Sequence, residues 1–363
     1  MSSRNENEKG THVSRRENRA KRVNAMEMWE KGVLDERPVK ERWSREFKNP
    51  RLKRLKNPVN DFSEECTVEG LVQEVHRRTF EVRLSTGETV SAIYRATVVD
   101  ELGEFPAVGD SVVLGVTLAG EYSLVKVKPR RSELKRPGPR DRIREELTLA
   151  ANIDQVILVA SVEQPSFSYG FADRFLLAAN WNHLPLVMVL NKIDLVAEIP
   201  NEILDFVKLV DGFIPFSCKT GEGLDALKRI TAGKVSVFSG KSGVGKSSLI
   251  NLLVPSAELR TGYVRDKDGK GRHTTTSSSL LDLPGGGMVI DTPGIRALGI
   301  LDLDRHELAR SFPGFFEDDL FTCKYGDCLH ISEPGCAVLR AVENGKISRP
   351  RYESYLRILN AKD

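Results

Sequence analysis

Gly240-Lys-Ser-Gly-Val-Gly-Lys-Ser247 is the stretch that decides the fold. It fits the pattern G-x-x-x-x-G-K-[ST], follows the apolar run Val235-Ser-Val-Phe238 and precedes the helix-like Ser248-Leu-Ile-Asn-Leu-Leu253. Strand, glycine-rich turn and helix in that order build a phosphate cradle. The glycines let backbone N–H groups close around the anion, at a helix N-terminus whose dipole favours negative charge. The candidate phosphate contacts are Gly240, Lys241, Ser242, Gly243, Val244, Gly245, Lys246, Ser247 and Ser248. In this role Lys246 reaches the β- and γ-phosphates and Ser247 ligates Mg²⁺.

Two kinds of motif flank this loop. Asp291-Thr-Pro-Gly294 ends the apolar run from Met288, 44 positions after Ser247. An Asp there can hold Mg²⁺ through water, and the Gly294 N–H can contact a γ-phosphate. D-x-x-G alone is common in turns. Upstream, Asn191-Lys-Ile-Asp194 follows the apolar run Leu186 to Leu190, and Ser217-Cys-Lys219 follows Gly212 to Phe216. A carboxylate at Asp194 can accept from the N1–H and 2-amino group of guanine, a donor pair that adenine lacks. Asn191 would brace the loops, with the Lys192 stem and Ile193 beside the base. Backbone N–H groups of Ser217, Cys218 and Lys219 would meet guanine O6. Cys218 stands where such motifs carry Ala, and it reads as a space-filler in place of a reactive thiol.

These motifs imply binding of GTP, with Mg²⁺, and they lie at the ends of expected strands, where α/β sheets place ligands. Ile153 to Ser161, Leu186 to Leu190, Gly212 to Phe216, Lys234 to Phe238 and Met288 to Asp291 read as buried strands. Phe171 to Asn180 and Leu224 to Ile230 read as helices between them. The guanine motifs precede the phosphate loop, so the order is that of a circularly permuted, doubly wound sheet.

Thr67 to Val75, Thr79 to Leu84, Glu88 to Tyr94, Val108 to Leu114 and Tyr122 to Val127 are short β-rich runs separated by turns such as Ser85-Thr-Gly87. Five strands in this span suggest a small OB-type barrel, a fold that often binds oligonucleotides and also serves as plain structure. Basic residues Lys126, Lys128, Arg130, Arg131, Lys135 and Arg136 follow, and Pro137-Gly-Pro139 marks a linker.

The chain of 363 residues, 40% of them hydrophobic, can bury cores in two or three domains. No apolar run approaches the ~18 residues of a membrane span. The polar, charged start is not a secretory signal. Five cysteines without such a signal argue for a reducing cytoplasm and against a disulfide framework. Residues 1–60 hold 17 Lys and Arg against 9 Asp and Glu, and the remainder holds 37 against 42. The basic arm is expected to stay disordered by itself and to meet RNA phosphates, or only to aid solubility. Trp29 and Trp43 could anchor it by stacking or make local helix contacts.

Cys323-x4-Cys328-x-His330-x5-Cys336 offers three thiolates and an imidazole within 14 residues, a set suited to one tetrahedral, structural Zn²⁺. Helical segments flank it at Arg305 to Ser311, Ala337 to Val342 and Tyr352 to Leu359.

Barrel, permuted GTP motifs and this cysteine–histidine module, in this order, resemble the bacterial family of ribosome small-subunit-dependent GTPase A over roughly residues 66–363. The resemblance implies a monomeric, cytoplasmic GTPase that binds the small ribosomal subunit (30S) late in its assembly. It also implies rRNA contact through barrel and zinc module, and hydrolysis stimulated by the subunit. The expected parts are a basic arm over 1–60, a barrel over 61–130, a permuted GTPase domain over 140–300 and a helical zinc module over 301–363. Hydrolysis needs an oriented water. Many GTPases place Gln after the D-x-x-G glycine; here Ile295 stands there, and Ile cannot orient water. Gly271-Arg-His-Thr-Thr-Thr276 lies in the expected first switch. By the family's pattern Thr275, with Thr274 next, closes on Mg²⁺, and His273 is the candidate to replace Gln. Two rivals are a GTP-gated RNA-binding protein with incidental hydrolysis and a GTPase serving a metal-transport or membrane partner.

Overall fold

The computed structural model describes residues 67–76, 79–94, 105–117, 120–136, 147–257, 279–291, 304–315 and 322–360. The chain divides into two units, and every described residue lies in the larger, Asn60–Arg140 with Arg144–Asp363.

β1 (Thr67–Val75), β2 (Thr79–Leu84), β3 (Thr89–Ile93), β4 (Ser111–Val116) and β5 (Tyr122–Val127) close into a barrel in the order β1-β2-β3-β5-β4, with β4 pairing back onto β1. Alternation dictates the interior. Phe80, Val82 and Leu84 on β2, Val90 and Ala92 on β3, and Val112 and Leu114 on β4 all point inward, each two residues from the next on its strand. Gly70 lets β1 run against β2, since a Cβ there would lie 2.3 Å from Val82 Cγ1. Past a bulge between Val72 and Glu74, β1 stays paired with β2 through Val75 and also pairs through Glu74 with Ser279.

Ser279 opens β12 (Ser279–Asp282), which joins the barrel to a second sheet. This sheet runs β10 (Gly212–Pro215), β9 (Leu186–Asn191), β8 (Gln155–Ser161), β11 (Val235–Gly240), β13 (Met288–Asp291), β12. All its pairings are parallel except β12 with β13. β8 and β9 are buried along almost their whole length, as near-continuous apolar strands between two helical layers should be. α1 (Tyr169–Trp181) and α2 (Asn201–Val207) cover one face, while α3 (Leu224–Thr231) and α4 (Lys246–Leu253) cover the other.

A two-stranded hairpin, β6 (Glu133–Arg136) and β7 (Leu147–Ala151), together with α2 and β12, was not legible in the sequence. The hairpin explains part of the basic run after β5. Arg130 forms a bidentate pair with the buried Asp110 at 2.7 and 2.8 Å and reaches Glu133 and Thr148. Arg131 pairs with Asp154, and Lys135 with Glu133. Breaking a buried pair such as Arg130–Asp110 costs about 3–5 kcal/mol, so these cations clamp barrel to hairpin. Lys126 sits within β5, exposed.

α5 (Arg305–Ser311), α6 (Ala337–Glu343) and α7 (Arg349–Asn360) form the C-terminal module. Asp304 and Glu307 make a reciprocal capping box at α5. Phe312, Phe315, Tyr355 and Ile358 pack with Cys328, Cys336 and Leu177 of α1 in a common core. No helix among the described residues is long and apolar enough to cross a membrane.

Candidate functional site

β11 delivers the chain into the glycine loop between β8 and β13. Gly240 is required by crowding, because a Cβ would lie 2.5 Å from the Val159 carbonyl. Gly243 and Gly245 turn the loop at φ 84° and 95°, a region closed to most side chains, and Gly245 caps α4. Lys246 opens α4 and forms an ion pair with Asp291 at the end of β13. Both side chains are largely buried, at 14% and 10% exposure. Ser247 and Ser248 follow in the first turn of α4, Val244 is buried beneath the loop, and Lys241 and Ser242 are exposed.

Asn191, at the end of β9, ties two loops together. Its Nδ2 donates to the Val244 carbonyl at 2.7 Å, and its Oδ1 accepts from the Cys218 N–H at 3.1 Å. Lys192 adopts φ 65°, and its ammonium donates to the carbonyls of Gln164 and, at 2.7 Å, Gly243. Ile193 to Leu195 form one 3₁₀ turn that presents Asp194 at the surface. Ser217 Oγ donates to Asp194 Oδ1 at 2.6 Å and accepts from the N–H groups of Lys219 and Thr220 at 3.2 Å. Burial pushes the Cys218 thiol up in pKa, against its contacts with Asn191 and Lys192, so it stays protonated and fills space. The structure thus gathers Asn191, Lys192, Ile193, Asp194, Ser217, Cys218 and Lys219 against the glycine loop, with Asp291 behind Lys246. His273, Thr274, Thr275, Gly294 and Ile295 lie outside the described residues.

The second site is the cysteine–histidine cluster. The ligand atoms of Cys323, Cys328, His330 and Cys336 all lie within 4.8 Å of one another. His330 Nδ1 stands 3.5 and 3.4 Å from the sulfurs of Cys323 and Cys336. Its Nε2 faces the Ala309 carbonyl at 3.2 Å, which assigns the proton to Nε2 and leaves the Nδ1 lone pair for a metal. Burial holds the imidazole pKa below its ordinary value, so the ring stays neutral, as a ligand must. Burial and the neighbouring sulfurs push the Cys328 thiol up to about 12 despite the His330 N–H, and a divalent cation reverses that balance. The N–H groups of Ala337 and Leu339 donate to Cys323 and Cys336 at 3.3 and 3.4 Å, in support of thiolates. Four protein ligands fill a tetrahedral shell, so the cluster fits a structural metal.

Sequence reasoning missed the frame around this cluster. Glu333 accepts from the N–H groups of Leu329 and Ile331 at 2.8 Å and of Ser332 at 3.0 Å. Partial burial opposes its ionisation, but these bonds prevail and bring its pKa down to about 2. Tyr352 and Tyr355 donate to the carbonyls of His330 and Leu329, each at 2.7 Å. The Gln164 carbonyl beside the glycine loop was missed too. No short motif marks any of these, since each depends on pairing across the fold.

Known proteins agree with this geometry. The sequence profile described as RsgA GTPase matches residues 127–301. A relative from Chlorobaculum parvum, named small ribosomal subunit biogenesis GTPase RsgA, is 42% identical over 82% of this chain and 99% of its own length. One of the same name from Bacteroides fragilis is 40% identical over 71% of this chain and 84% of its own. The crystal structure of YjeQ from Thermotoga maritima aligns with TM-score 0.62 at 34% identity, over 82% of this chain and 99% of that one. YloQ, described as a circularly permuted GTPase, aligns with TM-score 0.56 at 28% identity, over 84% and 98%. With glycine loop, the Asn191 and Ser217 loops and the cysteine–histidine module on one permuted frame, and with such relatives, the chain belongs to the RsgA GTPase family.

Proposed function

We propose that this protein hydrolyses GTP to GDP and phosphate during late maturation of the small ribosomal subunit, with the subunit stimulating the reaction. The observation that carries the reading is Asn191, whose one amide joins the guanine loops to the phosphate loop, so that base and phosphates are read as one ligand. Relatives named for small-subunit biogenesis supply the partner.

In this reading Asp194 accepts from the guanine N1–H and 2-amino group. Ile193 and the Lys192 stem line the base, and the Ser217 to Lys219 backbone meets O6. Residues 240–248 surround the phosphates. Lys246 would exchange Asp291 for phosphate oxygens, and the released carboxylate would help to hold the cation through water. Charge stays paired through that exchange, which limits the cost of moving buried ions. Mg²⁺, bound with GTP, neutralises charge developing on the phosphates. Ser247 and Thr275 would hold it, and the Gly294 N–H would contact the γ-phosphate. His273 orients the attacking water in place of the Gln that Ile295 displaces. Cys323, Cys328, His330 and Cys336 would hold Zn²⁺ as a single structural ion. The working parts are a basic arm over 1–60, a barrel over 61–130, the GTPase domain over 140–300 and the zinc module over 301–363. They act in a cytoplasmic monomer that contacts rRNA through barrel and module.

The test is GTP turnover with and without purified small subunits. Strong stimulation, competed by GDP and not by ATP, is the expected outcome. Tight GTP binding with equally slow turnover in both cases would favour a GTP-gated RNA-binding protein instead.

A further inference from the structure

The junction between α1 and α7 carries a polar arrangement that stability does not require. Asp173 on α1 is fully buried and accepts from Arg351 Nε on α7 at 3.3 Å. Arg351 is 7% exposed, also donates to the Pro313 carbonyl, and lies 5.5 and 5.9 Å from the ring centres of Phe312 and Phe206. Phe312 belongs to the module core and Phe206 to the GTPase core, so one guanidinium sits between both. Burial, against the pull of Arg351, raises the Asp173 pKa to about 6.

The buried polar groups around this pair are incompletely matched. Among the described residues several buried side-chain polar atoms make no close hydrogen bond. Two of them, Tyr169 Oη and Arg174 Nε, lie on α1, while Ser354 of α7 lies against the Asp173 carboxylate. An apolar contact would hold two helices at less cost than a half-satisfied polar network. What the pair adds is geometry. A planar guanidinium wedged between two rings and a buried carboxylate fits one placement of α7 on α1.

The other end of α1 touches the phosphate loop. Ser168, its N-cap, lies 3.4 Å from Lys241 Nζ. The Gln164 carbonyl shares the Lys192 ammonium with Gly243. The Pro165 ring comes within 3.5 Å of the Cβ position at Gly243. Ser161 Oγ fastens this connection by donating to the Pro165 carbonyl at 2.6 Å. Asp173 is five residues beyond Ser168, about 7.5 Å along a rigid helix.

We infer that Asp173 and Arg351 are positioning residues through which the phosphate loop and the cysteine–histidine module bias each other. A γ-phosphate alters the placement of Lys241 and Gly243, the connection from Ser161 to Ser168 follows, α1 shifts, and the Asp173–Arg351 pair passes the shift to α7. By linkage, seating of the module on a partner changes nucleotide preference by the same factor. The inference rests on the nucleotide reading above and needs no ribosome.

Amide hydrogen exchange of the zinc-loaded full chain tests it, with GDP compared against a non-hydrolysable GTP analogue. The parent should show exchange at residues 349–360 that differs between the two nucleotides by about fivefold or more, the lower range of known couplings. Asp173→Asn should erase most of that difference while nucleotide affinity and zinc content hold. Arg351→Lys, which keeps the charge and loses the planar fork, should do the same and serves if Asp173→Asn does not fold. A pair that only glues the helices would give faster α7 exchange by the same factor with either nucleotide, which overturns the inference. So does a parent with no nucleotide-dependent difference at α7. A parent that binds neither nucleotide in a separate titration overturns the nucleotide reading as well, and is told apart by that titration.

Discussion

A Cβ added at Gly245 would lie 2.3 Å from Nδ2 of Asn191, the nitrogen that donates to the Val244 carbonyl. Gly245 also holds φ 95°, where an alanine is strained by about 1–3 kcal/mol. Gly245→Ala must therefore displace the side chain that joins the Ser217–Lys219 loop to the glycine loop. GTP affinity measured by calorimetry should fall by at least about tenfold, the equivalent of ~1.4 kcal/mol. Affinity equal to the parent's would mean that this contact does not organise the site.

Nucleotide choice should rest on Asp194, whose carboxylate Ser217 orients at 2.6 Å. Asp194→Asn replaces an acceptor with a donor, so GTP binding should weaken and xanthosine nucleotides, which carry a 2-oxo group, should gain. A competition titration with GTP and XTP reads the change. An unaltered preference would remove Asp194 from the base site.

Cys328→Ser should lower metal content below one zinc per chain and loosen the C-terminal module. Cys328 sits inside the core that Phe312, Phe315 and Tyr355 build, and so small a core depends on its metal. Elemental analysis and the melting transition report both effects. GTP affinity should change by no more than the few-fold coupling between module and phosphate loop. Unchanged zinc would show that the four ligands are misassigned.

Glu333→Gln should lower the melting temperature by a few degrees, because three backbone N–H groups lose a charged acceptor. Its pKa is held near 2 in the fold and rises to the ordinary Glu range on unfolding. A depressed carboxylate stabilises fully above that ordinary range and loses its contribution as pH falls toward the folded value. The gap between parent and variant should therefore stay constant from about pH 5.5 to about pH 8. The gap should then narrow as pH falls from about 4 toward the folded value, and a gap unchanged over that range would mean that the carboxylate is not held down.

His273→Ala should leave GTP binding intact and remove most of the subunit-stimulated rate, since a positioned base or water-orienter is worth ~10²–10⁴-fold. Lys246→Ala should instead impair phosphate binding itself. Stimulated turnover within about a factor of two of the parent, far below that range, would assign activation to the backbone of residues 271–276.

Sequence alone determined whatever repeats at short range. Gly240 to Ser247, Asn191 to Asp194 and Ser217 to Lys219 stand out as local motifs because, in the proposed reading, a phosphate or a base is met by consecutive backbone groups. Cys323 to Cys336 is local because four side chains able to hold one ion must lie close together. Barrel strands were legible through the two-residue alternation of Phe80, Val82 and Leu84. β12, with four residues and one buried side chain, offered too little pattern, and so did the hairpin of β6 and β7. Only the tertiary structure decided which distant groups share a contact: Asn191 with Val244, Glu74 with Ser279, Asp173 with Arg351, His330 with Ala309. Burial and charge pairing select such partners from across the chain, and nothing in the spacing of residues along it records that selection.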